Sequence, residues 1–242
     1  MNVDQHFLVD ESIAKQMVSL CDIKKQDVVI EIGGGNGEIT RFIPECRLTV
    51  IEKDKQLAGK LKQKFPDAKI ITGDGVSAIK KIDFDYLISS VPYSICEPLF
   101  RELFLHDFRK AVLIFPKTLV DNLENKETSL SFLANEFFDI KKIRDIGREK
   151  FEPMPNVDSV LVELTQNKTG DKILKSIYLQ QDKKLKNALR EAIVEALGKT
   201  KKQANEMIKG MKITDKTINK NVRMLSYHEL KYVKDTTLKL LQ

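Results

Sequence analysis

Tryptophan is absent from this 242-residue chain. So is any apolar run approaching the roughly 18 to 20 residues that a membrane-spanning helix needs. The opening stretch, MNVDQHFLVDES, is acidic and lacks the apolar core of a secretory signal. The three cysteines, Cys21, Cys46 and Cys96, are scattered and form no CxxC pair. We therefore expect no disulfides, no metal site and no membrane partner, and we expect a cytoplasmic protein.

The excess of positive charge is confined to the last third of the chain. Residues 168–242 contain 18 Lys and Arg against 8 Asp and Glu, a net charge of +10, whereas the remainder has 23 basic and 27 acidic residues, a net of −4. A cationic module indicates a polyanionic partner, because each neutralised phosphate releases counterions. A lysine-rich, solvated helical surface explains the same composition about equally well.

Short apolar segments alternate with longer amphipathic ones through the first two thirds of the chain. The segments are rich in Val and Ile and about 20 residues apart, which is typical of buried parallel strands. This alternation predicts a doubly wound α/β sheet. The predicted strands are 27–32, 47–52, 68–73, 84–89 and 110–115.

The character of the chain changes near residue 166. Before it, FFDIKKIRDIG and SVLVELTQ predict a closing antiparallel pair of strands. After it, the apolar residues have helical spacing, with Gly198 and Gly210 as predicted helix ends. We therefore predict two domains, a ligand-binding domain over residues 1–166 and a small basic helical domain over residues 167–242.

The segment VVIEIGGGNGEIT joins a predicted strand to a helix through glycines 33, 34, 35 and 37. Glycines there allow a tight turn and a close approach to a ligand that faces the helix N–H groups. The G-x-G-x-G spacing differs from the GxGxxG of dinucleotide sites, so it does not demand a pyrophosphate. Glu31, just before the glycines, suits a ligand that carries an ammonium group.

Acidic residues end the next two predicted strands. Glu52 follows Gly33 by 19 residues, the place where a carboxylate binds ribose hydroxyls. Asp74, in the segment TGDG, is positioned to accept a hydrogen bond from an adenine amino group. Together with the glycines, these residues predict an adenosine held across the sheet edge. The alternative is that each carboxylate only caps a helix or a turn.

The fourth strand ends in SSVPYSI, which places a hydroxyl, a carbonyl and an aromatic ring together. Pro92 has no N–H and makes the preceding Val91 extended, and Tyr93 offers a face on which a base can stack. Ser90 and the Val91 carbonyl could accept hydrogen bonds from the two N–H groups of an aryl amine. Such acceptors favour a pyramidal nitrogen with a localised lone pair, ready for in-line methyl transfer from a sulfonium.

The motifs DQHFLVD, EIGGGNGEIT, IEKD, GDG, SVPYSI and FEPMPNVDSVLVEL stand in the order found in the ribosomal RNA adenine N6-dimethyltransferases. Over residues 4–165, and more loosely to the final LSYHELKYV, the chain resembles the small-subunit dimethyladenosine transferases of that family. FEPMPNVDS is the most family-specific element. The resemblance implies a Rossmann-like class I methyltransferase sheet with a small C-terminal helical domain, and S-adenosylmethionine as the cofactor.

The resemblance also implies a role for each matching position. His6 and Leu8 would close over the cofactor. Gly33 and Gly35 would face its methionine part, Glu52 would bind the ribose, and Asp74 with Gly75 would bind the adenine. Lys53 would also contact the cofactor. Ser90, Val91, Pro92 and Tyr93 would form the methyl-accepting site, with Ser90 also beside the cofactor. Phe151 would press on the other face of a flipped target base, because the amino group of a stacked adenine is out of reach.

Two departures from the family pattern bear on activity. Ser90 stands where the family usually has Asn; it is shorter, but its oxygen can still accept one hydrogen bond. Asp4 replaces a glycine, and the lysine-rich arm that often precedes it is absent from this sequence. Contacts to RNA would then come from the basic helical domain, for example from Lys186 and Arg190 on one helical face.

The leading hypothesis is a monomeric enzyme that dimethylates N6 of adenines in small-subunit ribosomal RNA, acting on the immature subunit. A relative that modifies large-subunit RNA or cytosine N4 is the competing enzyme hypothesis. A ribosome-assembly factor that binds cofactor and RNA but barely catalyses is the third, and Ser90 is the residue that separates the three.

Overall fold

A computed structural model of the chain describes residues 5–125 and 127–239, so Asp4 lies outside the described residues. The chain divides into two compact units. The first comprises the chain up to Asp121 together with Phe138–Gln166, and the second comprises Asn122–Phe137 and the chain from Asn167 onwards.

A mixed sheet forms the centre of the first unit. In the described part of the chain it has seven strands in the order β4-β3-β2-β5-β6-β9-β7. The first five are parallel, and β9 runs antiparallel to both β6 and β7. The strands are β2 (Val28–Ile32), β3 (Arg47–Glu52), β4 (Lys69–Thr72), β5 (Tyr86–Ser90), β6 (Lys110–Pro116), β7 (Phe138–Ile146) and β9 (Ser159–Gln166). The predicted doubly wound α/β sheet is thus confirmed, including its closing antiparallel pair.

Two further strands form a small ribbon beside the sheet. β1 (Phe7–Leu8) pairs antiparallel with β8 (Phe151–Glu152), so that Leu8 lies opposite Phe151. The ribbon is extended by a hydrogen bond from the Val9 N–H to the Lys150 carbonyl at 2.9 Å. Residues near the beginning of the chain are thereby held against the segment FEPMPNVDS, which carries the most specific part of the resemblance described above.

The helices connect the strands and build the second unit. Those of the first unit are α1 (Glu11–Ser19), α2 (Lys55–Lys64), α3 (Gly75–Ile79) and α4 (Cys96–Leu103), and α5 (Lys117–Asn125) follows β6. The remaining helices are α6 (Ser129–Phe137), α7 (Lys172–Leu179), α8 (Leu185–Leu197), α9 (Lys201–Gly210), α10 (Asp215–Ile218) and α11 (Tyr227–Leu238).

Polar caps determine where several helices begin. Asp54 accepts hydrogen bonds from the N–H groups of Gln56 and Leu57 at 2.7 and 3.0 Å, so α2 begins at Lys55. Thr200 and Ser226 each form a capping box ahead of α9 and α11. Such side chains satisfy N–H groups that have no partner within the helix.

The helix ends agree with the sequence at one glycine and differ at the other. Gly198 follows α8 in a left-handed conformation with φ of 60°, as predicted. Gly210 is the last residue of α9, and the C-cap is Met211 with right-handed helical angles, so the helix ends at the predicted glycine but that glycine is not the capping residue. The positive φ occurs instead at Lys212, at 52°. Ile208 and Met211, on either side of Gly210, are both buried.

The core of the first unit explains why its strands are nearly continuous apolar runs. Ile30, Leu87 and Val112, on three adjacent strands, are fully buried. Alternate side chains of a strand point to opposite faces, so burial of successive residues requires packing on both faces. Because β2 to β5 pair in parallel, their carboxyl ends lie at one edge of the sheet, where the polar residues lie.

The second unit is helical, and it includes a segment that the sequence assigned elsewhere. Residues 122–137, which contain α6, pack with the helices after Asn167, although the predicted first domain ran without interruption to residue 166. An ion pair between Lys234 and Glu136 connects α11 with α6, and the Asp171 N–H donates to Glu136 at 3.2 Å. Local periodicity does not report which core an amphipathic helix joins, so the sequence missed this assignment.

Candidate active site

A cavity of about 500 Å³ opens at the carboxyl ends of β2 to β5, within the first unit. Every residue assigned a cofactor or methyl-acceptor role in the sequence lines it. These residues are His6, Leu8, Gly33, Gly35, Glu52, Lys53, Asp74, Gly75, Ser90, Val91, Pro92, Tyr93 and Phe151. Parallel strands end at the same sheet edge, and loops after them converge there, which is why residues so far apart in sequence meet.

The glycine loop needs glycine for two separate reasons. Gly33 and Gly35 have φ of +74° and +56°, a region that other residues rarely adopt. Gly34 has ordinary backbone angles, but a Cβ there would lie 2.4 Å from Cγ1 of Val50. The loop therefore turns tightly and packs directly on β3, leaving its cavity side as bare backbone.

Glu52 holds this loop while it faces the cavity. Its Oε2 accepts from the Gly35 N–H at 3.0 Å, and its Oε1 accepts from the Asp54 N–H at 2.8 Å. Only 5% of the side chain is exposed. Each carboxylate oxygen has two acceptor positions, so both can accept a further hydrogen bond from a ligand. The carboxylate thus has a structural role in addition to the ribose-binding role that the sequence predicts.

Asp74 caps α3. Its Oδ1 accepts from the Ser77 N–H at 2.8 Å. The hydrogen bonds from the Ser77 backbone and side chain lower the pKa of the Asp74 carboxyl, which stays ionised at neutral pH. The helix-cap alternative weighed for this residue is therefore realised in the structure. Capping uses one carboxylate oxygen and leaves adenine binding as a prediction.

Glu31 is a buried acid at the floor of the cavity. It is 1% exposed, and the Thr40 hydroxyl donates to its Oε2 at 2.6 Å. Burial raises the pKa of Glu31 to about 8, although the Thr40 hydrogen bond acts in the opposite direction. The carboxyl is therefore largely protonated at neutral pH, and an ammonium group placed beside it would favour its ionised form.

The end of β5 is tied to the end of β2. The fully buried Ser89 donates from Oγ to the Ile32 carbonyl at 2.6 Å. One residue further on, Ser90 is half-buried at the cavity wall, and the Val91 N–H donates to the Ile114 carbonyl at 3.3 Å. The Val91 backbone is thus held at the sheet edge by β6, beside the glycine loop.

Tyr93 is fixed from two sides. Its hydroxyl lies 2.7 Å from Oγ of Ser159, and the His6 ring packs against its ring with centroids 5.6 Å apart. His6 in turn lies with Nδ1 2.7 Å from the Pro153 carbonyl oxygen. Because a carbonyl only accepts, Nδ1 of His6 bears the hydrogen.

Phe151 serves the core as well as the cavity. It is 5% exposed and belongs to the apolar cluster that contains Leu8, Ile13 and Met17. Most of its surface is therefore packed, and this packing holds in place the part of the ring that lines the cavity. The base-pressing role implied by the resemblance stays a prediction.

The cavity has further lining residues that sequence reasoning missed. Ile32 and Ile51 supply apolar walls at the ends of β2 and β3. Phe7 lies against Gly35, so that a Cβ added at Gly35 would be 3.1 Å from the Phe7 ring. The signal for the isoleucines was present, because each immediately precedes or follows an identified site residue at a strand end. Phe7 carried no such signal, because its place depends on the pairing of β1 with β8.

In the second unit, the predicted phosphate-binding pair on α8 is exposed unequally. Lys186 is exposed, whereas Arg190 is half-buried. Nε of Arg190 is buried without a hydrogen-bond partner among residues 5–125 and 127–239. The two side chains therefore do not form an evenly exposed cationic stripe.

Two further observations concern metals and membranes. The side chains described include no cluster of three or more His, Cys, Asp or Glu residues suited to a metal ion. Across the same parts of the chain, we find no helix with the length and hydropathy required to cross a bilayer.

The sheet order, the glycine loop and the acidic strand ends together define a class I methyltransferase fold. Two solved structures support this over nearly the whole chain. A dimethyladenosine transferase from Plasmodium falciparum aligns with a TM-score of 0.66 at 21% identity, covering 97% of each chain. The 23S rRNA methyltransferase ErmE aligns with a TM-score of 0.61 at 15% identity, covering 95% of this chain and 98% of that one.

The family follows from sequence. The family model described as ribosomal RNA adenine dimethylase matches residues 1–235. A ribosomal RNA small subunit methyltransferase A from Thermotoga neapolitana is 30% identical over 205 residues, which cover 78% of this chain and 79% of the relative. The chain belongs to the ribosomal RNA adenine dimethylase family, as the resemblance in its motifs indicated.

Proposed function

We propose that this protein uses S-adenosylmethionine to dimethylate N6 of adenines in small-subunit ribosomal RNA during ribosome maturation. Family membership supports the activity. The observation that carries the proposal for this chain is the cavity of the first unit, because all residues matched to cofactor and acceptor roles line it.

The cavity suits the cofactor in size and in polarity. About 500 Å³ lies within the range of small-molecule sites. The bare backbone at Gly33 and Gly35 admits close approach, Glu52 has spare acceptor capacity, and Ile32 and Ile51 offer apolar walls for a planar base. When bound, S-adenosylmethionine would supply an electrophilic methyl group.

The residues at the end of β5 would activate the accepting amine. Ser90 Oγ and the Val91 carbonyl oxygen would accept its two N–H hydrogens, and the Tyr93 ring would stack on the base. Hydrogen bonds out of the ring plane localise the nitrogen lone pair towards the methyl group, a stabilisation realised mainly in the transition state. The peptide hydrogen bond from Val91 to Ile114 keeps this carbonyl in place while it acts.

Ser90 is the acceptor-site residue that departs from the Asn usual in the family, so we expect it to limit the rate of methyl transfer. A serine hydroxyl is shorter than an Asn side chain and can rotate, so it holds the amine less rigidly. We expect transfer to be slower than with Asn at this position, and Ser90→Asn to raise kcat.

We further propose that the basic second unit binds ribosomal RNA within the immature small subunit, and that the protein acts as a cytoplasmic monomer. The net charge of +10 over residues 168–242 supports RNA binding by this unit, since phosphate neutralisation supplies most sequence-independent affinity.

Transfer of labelled methyl groups to immature small subunits, followed by mass spectrometry of the nucleosides, tests the proposal. Dimethyladenosine is the expected product. Label on cytosine N4, or on large-subunit RNA offered in parallel, would replace the proposed substrate by the competing one. Binding of cofactor and subunit without any label would instead identify an assembly factor.

A further inference from the structure

The segment Phe151–Ser159 makes three contacts with the two rings at the acceptor end of the cavity. The Pro153 carbonyl lies 2.7 Å from Nδ1 of His6. Oγ of Ser159 lies 2.7 Å from the Tyr93 hydroxyl, and the Val157 carbonyl lies 3.5 Å from the same hydroxyl. The rings of His6 and Tyr93 pack on each other at 5.6 Å, inclined by 41°.

These contacts fix the tilt of the Tyr93 ring as well as its place. A tyrosine side chain held only at its Cβ can swing about two torsions, and a stacking platform for a base needs both to be set. The hydroxyl oxygen lies on the Cβ–Cγ axis, so its contact with Ser159 restricts the first torsion, whereas His6, packed on one face of the ring, restricts the second. Ser159 is fully buried at the first position of β9, where it pairs with Pro116 of β6 and Ile146 of β7. The anchor is therefore part of the sheet and does not move independently of it.

We propose that Ser159 is a positioning residue for methyl transfer, which fixes the far end of the Tyr93 ring so that the ring, supported on one face by His6, is in place to stack the target base. The inference rests on the proposed function, because it assumes that a base occupies the Tyr93 side of the cavity. Ser159 itself does not line the cavity. It acts on the reaction through the Tyr93 hydroxyl alone, which makes the coupling between the two side chains measurable.

A double-mutant cycle tests this coupling in the full-length protein. Ser159→Ala removes the anchor, Tyr93→Phe removes the hydroxyl and keeps the ring, and the third variant combines both. Each single change should lower kcat on immature small subunits about tenfold, the scale of removing one hydrogen bond from a transition state. The affinity for S-adenosylmethionine, measured by calorimetry, should be unchanged, because neither change alters a side chain assigned to the cofactor.

The combination should be no slower than Tyr93→Phe, since Ser159 has nothing left to position. Ser159→Thr, which keeps a hydroxyl, should restore most of the rate. As a matched control, Ser131→Ala removes another fully buried serine hydroxyl, one that bonds to Thr128 in the second unit. Ser131→Ala should lower the free energy of unfolding by about as much as Ser159→Ala does, without lowering kcat.

Two results would overturn the inference. One is a Ser159→Ala variant with wild-type kcat. The other is a combined variant whose kcat falls by the product of the two single-variant factors, which would show that the two side chains act independently. Failure of the proposed function looks different, because the wild-type protein would then place no methyl group on adenine in any assay.

Discussion

Ser89 and Ile32 are joined across the sheet edge by a buried hydrogen bond of 2.6 Å from the serine hydroxyl to the isoleucine carbonyl. The main-chain pairing of β2 with β5 runs to Glu31 and Ile88, so this side chain continues the connection one step further. The glycine loop begins directly after Ile32, and the acceptor loop directly after Ser90. The Ser89 hydroxyl thus fixes the position of the glycine loop relative to the acceptor loop.

We expect Ser89→Ala to lower the free energy of unfolding by about 1 to 2 kcal/mol, because it leaves a buried carbonyl without this donor. The turnover rate should fall as well, since the loops lose their connection. Denaturant titration and single-turnover transfer measure the two effects. Ser19→Ala removes the same kind of bond, to the Gln16 carbonyl, at an exposed position. It should change stability by less than about 0.5 kcal/mol, and equal losses for the two variants would contradict the role given to burial.

Glu52→Ala should weaken cofactor binding by roughly a hundredfold or more, because charge-assisted hydrogen bonds are worth about 1.5 to 3 kcal/mol each. The change removes a ribose acceptor and also releases the Gly35 and Asp54 N–H groups. Calorimetry with S-adenosylmethionine measures the loss. Glu163→Ala, which removes a half-buried carboxylate of β9 that pairs with Lys110 of β6, is the control and should leave affinity intact. Unchanged affinity for Glu52→Ala would remove the ribose assignment.

Glu31 should make stability depend on pH in one direction. Its pKa is about 8 in the folded protein against an ordinary value of 4.5, so between these values the folded state binds more protons than the unfolded state. Stability contributed by Glu31 is therefore present in full below pH 4.5 and is lost as pH rises to 8, by at most about 5 kcal/mol.

Glu31→Gln does not titrate, yet its side-chain oxygen can still accept from Thr40. The stability of this variant relative to wild type should therefore increase from pH 5 to pH 8 in urea titrations and level off above. Glu45→Gln, at an exposed position paired with Lys25, should give a difference that does not vary with pH in this range. Parallel curves for Glu31→Gln and wild type would show that Glu31 is ionised throughout.

Charge reversal of Lys186 and Arg190 together should weaken RNA binding and reduce its salt dependence, by a slope of about 0.7 for each phosphate that is no longer neutralised. Lys186 should account for most of the change, because Arg190 is half-buried. Binding to a ribosomal RNA fragment at several salt concentrations measures the slope. Reversal of Lys60 and Lys69, two exposed lysines of the first unit, changes net charge equally and should leave the slope nearly intact. An unaltered slope for the α8 variant would exclude this surface as the RNA-binding face.

The strands and the polar residues at their ends were predictable because each depends on local pattern. A run such as VVIEI is buried on both faces wherever it lies in the sheet, and Glu52 or Asp74 reaches the common edge simply by ending a parallel strand. The cap by Asp74 was also foreseen as an alternative. Contacts between distant segments were not predictable: neither the bond from Ser159 to Tyr93 nor the place of Phe7 beside Gly35 has any signature in the spacing of residues.

The amino-acid sequence by itself determined the alternating sheet, the glycine loop and the family, since periodicity and short motifs express which residues must be buried or must approach a ligand. Only the tertiary structure decided that residues 122–137 join the helical unit, that burial raises the pKa of Glu31, and that one segment near β9 holds both rings of the acceptor site. The physical reason is that burial and hydrogen bonding at these positions depend on partners from other parts of the chain, which the folded packing alone brings together.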